Sequence, residues 1–204
     1  MDDANPTPWT RKRKPRDTQY KDKREAVLER AAALFADKGY GSVSLSELAE
    51  SLNITKPTLY YYFSSKDDLL LEIQRRAQDA VIEGLQEAER LKGTGRERLE
   101  LFLKQYIAVT SSNDCRCLIT VSSRDLTPKS RNKIQVRARD VEARIQAFIE
   151  EGIDDGSFRA QDIRIAYQAM IGMLNSIAVW YKDRGPIKRE EMTQQIIQLI
   201  FQGL

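Results

Sequence analysis

The stretch from Ser44 to Phe63, SLSELAESLNITKPTLYYYF, constrains the fold more than any other part of this chain. It opens with Ser-x-x-Glu, a pattern that caps the start of a helix, and apolar residues then recur at helical spacing. Asn53 and Ile54 interrupt this helix. Thr55 followed by Pro57 predicts the start of a second helix, because proline is tolerated in a first helical turn. The stretch therefore predicts two short helices joined by a tight turn.

The second of these helices has one apolar face that can be buried in a core and one polar, tyrosine-rich face that stays accessible. Leu59, Tyr62 and Phe63 share the face that can be buried. A lysine, a threonine and tyrosines on the remaining surface can enter a DNA major groove and reach base edges or phosphates. A plain helical hairpin with a tyrosine-rich surface is the alternative interpretation. The positions expected outside the core are Lys56, Pro57, Thr58, Tyr60 and Tyr61.

Basic residues precede this stretch. Residues 10–24 hold eight lysines and arginines against two aspartates, a local charge of +6 in a chain whose net charge is +3. Such a cluster, which includes Arg11 and Arg13, attracts the phosphates of a nucleic acid. Because residues 1–20 also contain three prolines and few large apolar groups, we expect a disordered basic arm there. A solvated tail without a partner is the alternative.

The remainder of the chain shows helical periodicity and no convincing strand, so we predict an all-α protein. Ser65 caps a long helix, and Lys66 lies at its start, where free backbone N–H groups favour a phosphate. Residues 113–124 are ambiguous because Ile119-Thr120-Val121 is β-branched and favours a helix only weakly.

The helix over residues 163–183 is apolar on more than one face, which predicts a second copy of the chain on its outer side. A helix buried wholly inside its own monomer is the alternative. Small residues at Ala169, Gly172 and Ser176 would let a partner helix approach closely. The face expected inside the monomer carries Ile163, Ala166, Met170, Met173, Ile177 and Trp180.

Several function classes are excluded by what the chain lacks. It has no histidine and two cysteines, so the common zinc sites and the histidine-dependent nucleophiles are absent. No nucleophile–base pair or phosphate loop is recognisable, and we predict neither enzymatic activity, nor a metal, nor a cofactor. Cys115 and Cys117 are read as ordinary reduced cysteines, with a thiol sensor or a soft-metal site as the alternatives. No segment has the length of a membrane span and no secretory signal is visible, so we expect a cytoplasmic protein.

A ligand pocket is expected among the helices after Arg96, although simple core packing is the alternative for each of its residues. Residues 111–149 carry a surplus of four positive charges, which favours an anionic ligand such as an acyl-CoA. The candidate ligand-binding residues are Phe102, Tyr106, Leu118, Val121, Arg124, Tyr167, Met170, Met173, Asn175 and Trp180.

The segment from Arg24 to Ile73 resembles the N-terminal domain of TetR/AcrR-family transcriptional regulators. The matching marks are AAALFADKGY, ELAESLNI, TKPTLYYYF and SKDDLL. More loosely, EEGIDDGSFR and AVWYKDRGPIKREE resemble a subgroup that regulates lipid, sterol or acyl-CoA metabolism. The resemblance implies a three-helix helix-turn-helix domain over residues 21–68 and a helical ligand-binding and dimerisation domain over residues 69–204.

Carried over by position, the resemblance implies a set of DNA-contacting residues, with the arm residues Arg11 and Arg13 beside them. It also implies a homodimer, formed through the last two helices, that binds a palindromic operator in double-stranded DNA and is released by a small-molecule effector. A non-specific or architectural DNA-binding protein is the rival hypothesis. The implied contacts are Tyr40, Ser44, Thr55, Lys56, Pro57, Thr58, Tyr60, Tyr61 and Lys66.

Overall fold

The computed structural model describes residues 16–110, 112–181 and 185–203. Over these ranges the chain forms nine α-helices and one 3-10 turn and contains no strand, which confirms the all-α prediction. The predicted arm residues Arg11 and Arg13 lie outside the described residues. The helices are α1 (Arg16–Lys38), α2 (Leu45–Ser51), α3 (Lys56–Tyr62), α4 (Lys66–Arg90), α5 (Gly95–Thr110), α6 (Asn113–Thr120), α7 (Pro128–Asp154), α8 (Ile163–Trp180) and α9 (Arg189–Gly203).

Side-chain caps set the starts of the three helices that follow α1. The Ser44 hydroxyl accepts a hydrogen bond from the Glu47 N–H at 3.0 Å. Thr55 accepts from the Thr58 N–H at 3.3 Å, and Ser65 accepts from the Asp68 N–H at 3.0 Å. These bonds satisfy N–H groups that have no partner within the first helical turn. The predicted helix starts at Leu45, Lys56 and Lys66 are therefore confirmed.

Two helix boundaries differ from the sequence prediction. Helix α1 begins at Arg16, so the disorder expected for residues 1–20 does not hold for residues 16–20. The ambiguous segment folds as α6, which ends at Thr120, and a 3-10 turn follows at Ser123–Asp125. The β-branched Val121 then takes an extended conformation as the C-cap of α6, in agreement with its weak preference for helix.

The described residues form two apolar cores that share elements. The first core joins α1, α2, α3 and the start of α4, and the second joins α4, α5, α7, α8 and α9. Helix α4 passes through both, and the predicted domain boundary after residue 68 falls within its first turn. The first core is completed by residues from α6, α7 and the segment between them, namely Cys117, Val121, Leu126 and Ile134. The helix-turn-helix unit therefore packs directly against α6 and α7 and shares its apolar core with them.

Helix α8 is apolar on two faces, as predicted, but the assignment of residues to those faces needs a correction. Met173 and Trp180 are 38% and 46% exposed and point away from the monomer core. Leu174 and Ala178 are buried instead, because α8 turns its Ala166–Met170–Leu174–Ile177 stripe inward. None of the helices in the described ranges combines the length and hydropathy needed to cross a lipid bilayer.

Candidate nucleic-acid interface and ligand cavity

The turn between α2 and α3 depends on Asn53, which has a φ of +53°. The Asn53 N–H donates to the Glu50 carbonyl, and the Ile54 N–H donates to the Ala49 carbonyl, both at 3.0 Å. This pair of bonds is the Schellman ending of a helix, in which the residue after the C-cap takes the left-handed conformation. Asparagine tolerates that conformation better than most residues other than glycine. Asn53 thereby sets the angle at which α3 leaves α2.

Helix α3 presents the predicted residues on one accessible surface. Leu59 is 1% exposed and anchors the helix to the first core, whereas Tyr60 and Tyr61 are 47% and 70% exposed. Lys56 and Pro57 are also exposed at its first turn. Thr58 is half-buried, and its hydroxyl oxygen lies 2.8 Å from that of Thr55. Together these five positions present a cation, hydroxyl groups and aromatic rings on one side of α3.

Tyr20 of α1 belongs to this surface, and the sequence prediction missed it. Its ring lies edge-on to Tyr61 at a centroid distance of 5.6 Å and tilted against Tyr62 at 5.1 Å. Such aromatic pairs stabilise a defined orientation of the rings. The sequence prediction missed Tyr20 because the composition of residues 16–20 favours a disordered arm and not a helix.

Lys66 and Tyr40 form an internal clasp. The Lys66 Nζ donates to the Tyr40 carbonyl and lies 4.1 Å from the centroid of the Tyr40 ring. Desolvation lowers the pKa of Lys66, against an opposing effect of Asp125. Burial is also the main reason that the pKa of Tyr40 is raised, with the negative charges of Asp67 and Asp125 adding to the effect. Ser44, the other expected phosphate contact, is exposed, and its hydroxyl is the cap of α2.

The start of α4 is bound to the start of α7. The Asp67 carboxylate accepts hydrogen bonds from the Thr127 N–H at 2.7 Å and from the Ser130 hydroxyl at 2.7 Å. The Thr127 hydroxyl donates to the same carboxylate at 3.2 Å. Further along α4, the Arg76 guanidinium bridges Glu25 of α1 at 2.8 Å and Asp114 of α6 at 3.0 Å. Several polar contacts therefore connect α6 and α7 to α4 and α1 at the base of the helix-turn-helix unit.

A cavity of about 270 Å³ lies between α4, α5, α6, α7 and α8. Four of the ten predicted ligand-binding residues line it: Tyr106, Leu118, Tyr167 and Asn175. The sequence prediction missed Gln78 of α4, which stands between the apolar positions Ala77 and Val81. The other lining residues are Val81, Ile119, Ile134, Ala138, Val141 and Ile171.

The remaining six predicted residues lie elsewhere. Phe102, Val121 and Met170 are buried within the two cores. Arg124, Met173 and Trp180 are exposed. The structure thus divides the predicted set between a cavity, the packed interior and the outer surface.

The polar side chains that line the cavity are uncharged. The Tyr106 hydroxyl donates to the Asn175 Oδ1 at 2.6 Å. Burial raises the pKa of Tyr106 and raises that of Tyr167 to about 12, with Glu142 adding to the shift at Tyr167. Both phenols therefore stay protonated at neutral pH. The cavity wall consists of apolar side chains and four neutral polar ones.

The positive surplus counted over residues 111–149 is partly compensated by acidic residues of other helices. Arg116 pairs with Asp37 of α1 at 3.1 Å. Arg144 pairs with Glu89 of α4 at 2.7 Å. Arg137 also pairs with an α4 carboxylate, that of Asp79. A charge count along the sequence could not show this compensation, and it weakens the argument for an anionic ligand.

The two cysteines are buried, with 3% and 0% exposure. Desolvation raises the pKa of Cys115 to about 11 and that of Cys117 to about 12, and the negative charge of Asp114 adds to both shifts. Within the described ranges no group of three cysteine, aspartate, glutamate or histidine side chains is placed to hold a metal ion. Both cysteines therefore carry protonated thiols at neutral pH.

Exposed apolar side chains concentrate on two surfaces of the described chain. Of its ten exposed large hydrophobic residues, six lie on α8, on α9 or between them. Three more are Tyr20, Tyr60 and Tyr61 on the surface around α3. Isolated apolar residues on a surface are common, but clusters of this kind mark sites of interaction. The six are Ile165, Met173, Val179, Trp180, Ile187 and Leu199.

Two family models match the chain. The model described as "Bacterial regulatory proteins, tetR family" matches residues 27–73. The model described as "Tetracyclin repressor-like, C-terminal domain" matches residues 92–204, which is more than half of the chain.

Individual proteins match over most of their length. The HTH-type transcriptional repressor KstR2 of Mycolicibacterium smegmatis is 24% identical over 185 residues, covering 89% of this chain and 90% of the repressor. The crystal structure of the TetR family transcriptional regulator PfmR from Thermus thermophilus aligns with a TM-score of 0.79 and 29% identity, over 87% of this chain and 98% of PfmR. AibR, in a crystal structure with isovaleryl coenzyme A and operator DNA, shares the fold, with a TM-score of 0.80 and 24% identity over 87% of this chain and 97% of AibR.

Proposed function

Because the chain belongs to the TetR family of bacterial regulatory proteins, a family of DNA-binding regulators, we propose that it represses transcription as a homodimer and leaves its operator when a small molecule binds. The proteins that it matches are transcriptional regulators and not enzymes. The observation that carries the proposal is the division of the exposed apolar residues between the surface around α3 and the surface of α8 and α9. One of these surfaces suits DNA and the other suits a second copy of the chain.

The DNA contacts proposed here are those around α3. Lys56 and Tyr61 reach phosphates or base edges in the major groove, while Thr58 and Tyr60 flank them. Tyr20 fixes the orientation of the Tyr61 ring. Lys66 supports the interface indirectly, since its ammonium group is bound to the Tyr40 carbonyl.

The homodimer forms through α8 and α9. A groove of about 320 Å³ between these helices, lined by Ile165, Met173 and Leu199 among others, receives side chains of the second copy. Dimerisation is typical of the family, and a twofold axis places two α3 helices on a palindromic operator. Engagement of both half-sites requires them to lie about 34–36 Å apart, or a multiple of one helical turn.

The effector occupies the cavity between α4 and α8. An acyl-CoA remains the proposed class because AibR, which has the same fold, was crystallised with isovaleryl coenzyme A. The cavity would take the acyl group and the neutral thioester, while the nucleotide portion would stay outside. This assignment relies on the uncharged lining and not on the positive charges, since three of the arginines are paired within the chain.

Ligand binding is coupled to DNA binding by helices that serve both sites. Gln78 lines the cavity on α4, and Asp67 lies on the same helix about 11 residues, or roughly 16 Å, away. Ile134 of α7 lines the cavity and also belongs to the first core. A ligand that changes how α4 packs against α7 therefore shifts the base of the helix-turn-helix unit and changes the separation of the two α3 helices.

The test is a mobility-shift titration on DNA from the protein's own promoter region, with scrambled DNA as competitor. We expect saturable, sequence-selective binding by the wild-type chain. Lys56→Ala and Tyr61→Ala should each weaken that binding by about tenfold or more, since each removes a hydrogen bond to a charged phosphate or a base. Lys92→Ala is the matched control, because this exposed lysine follows the C-cap of α4 and lies outside the α3 surface. Competition by scrambled DNA as strong as by promoter DNA would favour the architectural rival and reject the repressor.

A further inference from the structure

Gln78 has a hydrogen-bond acceptor that no described group satisfies. The residue is 4% exposed, and its Nε2 donates to the Ile134 carbonyl at 3.0 Å. That bond fixes the orientation of the amide, because only the nitrogen can donate to a carbonyl oxygen. The Gln78 Oε1 is therefore the unpartnered atom. A buried acceptor without a donor is unfavourable. Because Gln78 is one of the residues that line the cavity, a group bound there is the candidate donor once the side chain moves enough to expose the oxygen, which is shielded in this structure.

The cavity limits what this donor can be attached to. Its volume of about 270 Å³ corresponds to roughly nine water molecules, hence to a group of about nine non-hydrogen atoms. Its lining has no charged side chain. An anion placed against this lining would lose hydration without gaining a countercharge, so a carboxylate is disfavoured there. Asn175 offers the complementary polarity, since its Oδ1 already accepts from Tyr106 and its N–H groups remain as donors.

We propose that the effector places a compact, uncharged, mainly apolar group in this cavity and donates one hydrogen bond, from an amide N–H or a hydroxyl, to the Gln78 Oε1. The inference rests on the proposed function, because it specifies the effector of that same site. A short acyl thioester of coenzyme A supplies the donor as the amide N–H closest to its sulfur. A small apolar alcohol supplies it as its hydroxyl. A free fatty acid, ionised at neutral pH, supplies none.

Gln78 is also placed to report occupancy. Its amide oxygen would accept a hydrogen bond from the ligand, and its amide nitrogen donates one to the Ile134 carbonyl of α7. Hydrogen bonds linked in this way polarise one another. Helix α7 in turn is bound to Asp67 at the start of α4. A donor at Oε1 therefore strengthens the contact between α4 and α7 on one side of the cavity while the apolar group fills the other.

The experiment uses pairs of probes that differ in the donor alone. The first pair is S-butanoyl-N-acetylcysteamine and the corresponding acetate ester, in which oxygen replaces the N–H. The second pair is octan-1-ol and its isomer heptyl methyl ether, and octanoate tests the charge. Calorimetric titration of the wild-type dimer should show one donor probe binding about tenfold more tightly than its own donor-free analogue, with octanoate binding at least tenfold more weakly than octan-1-ol. The pair that shows the preference identifies the source of the donor.

Gln78→Met should abolish the preference while keeping the length of the side chain. Gln74→Met is the matched control, because Gln74 lies one turn earlier on α4, is 1% exposed and also has an unpartnered Oε1, but does not line the cavity. It should keep the preference. Equal affinities within both probe pairs for the wild-type chain, including no binding at millimolar concentration, would overturn the inference, as would tight binding of octanoate. Promoter binding of all three proteins without a probe is measured separately, so a failure of the proposed repressor function remains distinguishable.

Discussion

Asn53 is the residue on which the angle between α2 and α3 depends, since it holds the left-handed position of the turn at a φ of +53°. A β-branched residue there would force its side chain against the backbone. We expect Asn53→Val to lower the free energy of unfolding by about 1–2 kcal/mol, and Asn53→Gly to change it by no more than a few tenths. Urea denaturation monitored by circular dichroism measures both. Equal stability of the valine variant and the wild type would show that the turn does not need this conformation.

Cys115 and Cys117 give a prediction about pH. Their folded-state pKa values of about 11 and about 12 lie above the ordinary value of 9.0 because burial disfavours the thiolate. The unfolded chain therefore loses these protons first as the pH rises, and stability should fall from about pH 9 toward pH 11 while remaining flat below pH 8. The double variant Cys115→Ala/Cys117→Ala should lose the onset of this slope, as measured by urea denaturation between pH 7 and pH 9.5, below the range in which the buried Tyr106 and Tyr167 add their own pH dependence. Rapid labelling of both thiols in the native protein at pH 8 would contradict the buried, protonated state.

Residues differ in how far the sequence revealed their roles. The outward position of Lys56 and Tyr61 followed from the cap at Thr55 and the spacing of Leu59 and Phe63, which are local features. The roles of Tyr20 and Gln78 could not be predicted, because they depend on contacts with Tyr61 on another helix and with the Ile134 carbonyl, 56 residues away.

At the scale of the element, α8 shows what periodicity can and cannot establish. Two apolar faces were visible in the sequence, but the boundary between them was misplaced at Met173 and Trp180. A shift of a few tens of degrees about the helix axis changes which residues are buried, and packing against α5, α6 and α7 fixes that rotation. The end of α6 is a similar case. The β-branched residues 119–121 showed that the helix is weakly favoured there, but not at which residue it ends.

Gly172 on the outer face of α8 gives the prediction for the dimer. A Cβ added there meets no atom within 4 Å in the monomer, so the monomer itself does not require glycine. Gly172→Gln should stabilise the isolated helix by about 0.5 kcal/mol and yet weaken the dimer, because the new side chain occupies the space of the partner helix. Sedimentation velocity measures the association, and thermal unfolding of the monomeric fraction measures the fold. An unchanged dimerisation constant would place the interface elsewhere.

At the scale of the whole molecule, positive charge is concentrated at the start of the chain. Arg11, Lys12, Arg13 and Lys14 are separated by Pro15 alone from the described part of the chain. Tyr20, in the second turn of α1, contacts the α3 surface. Deleting residues 1–15 should lower operator affinity and reduce the slope of log K against log salt by about 0.9 for every phosphate that the protein no longer neutralises. Titrations between 50 mM and 200 mM salt measure the slope. A replacement of the four basic residues by glutamine is the matched control for chain length, and an unchanged slope in both variants would show that the arm stays off the DNA.

The sharing of the first core between sequence-distant elements affects how this protein can be re-engineered. Cys117, Val121, Leu126 and Ile134 come from α6, α7 and the segment between them, yet they cover the apolar base of the helix-turn-helix unit. A chimera that joins residues 1–68 to the body of another regulator would replace this cover with foreign side chains. To exchange operator specificity between such regulators, the outward residues of α3 must therefore be substituted individually, while the native apolar base of the helix-turn-helix unit is kept.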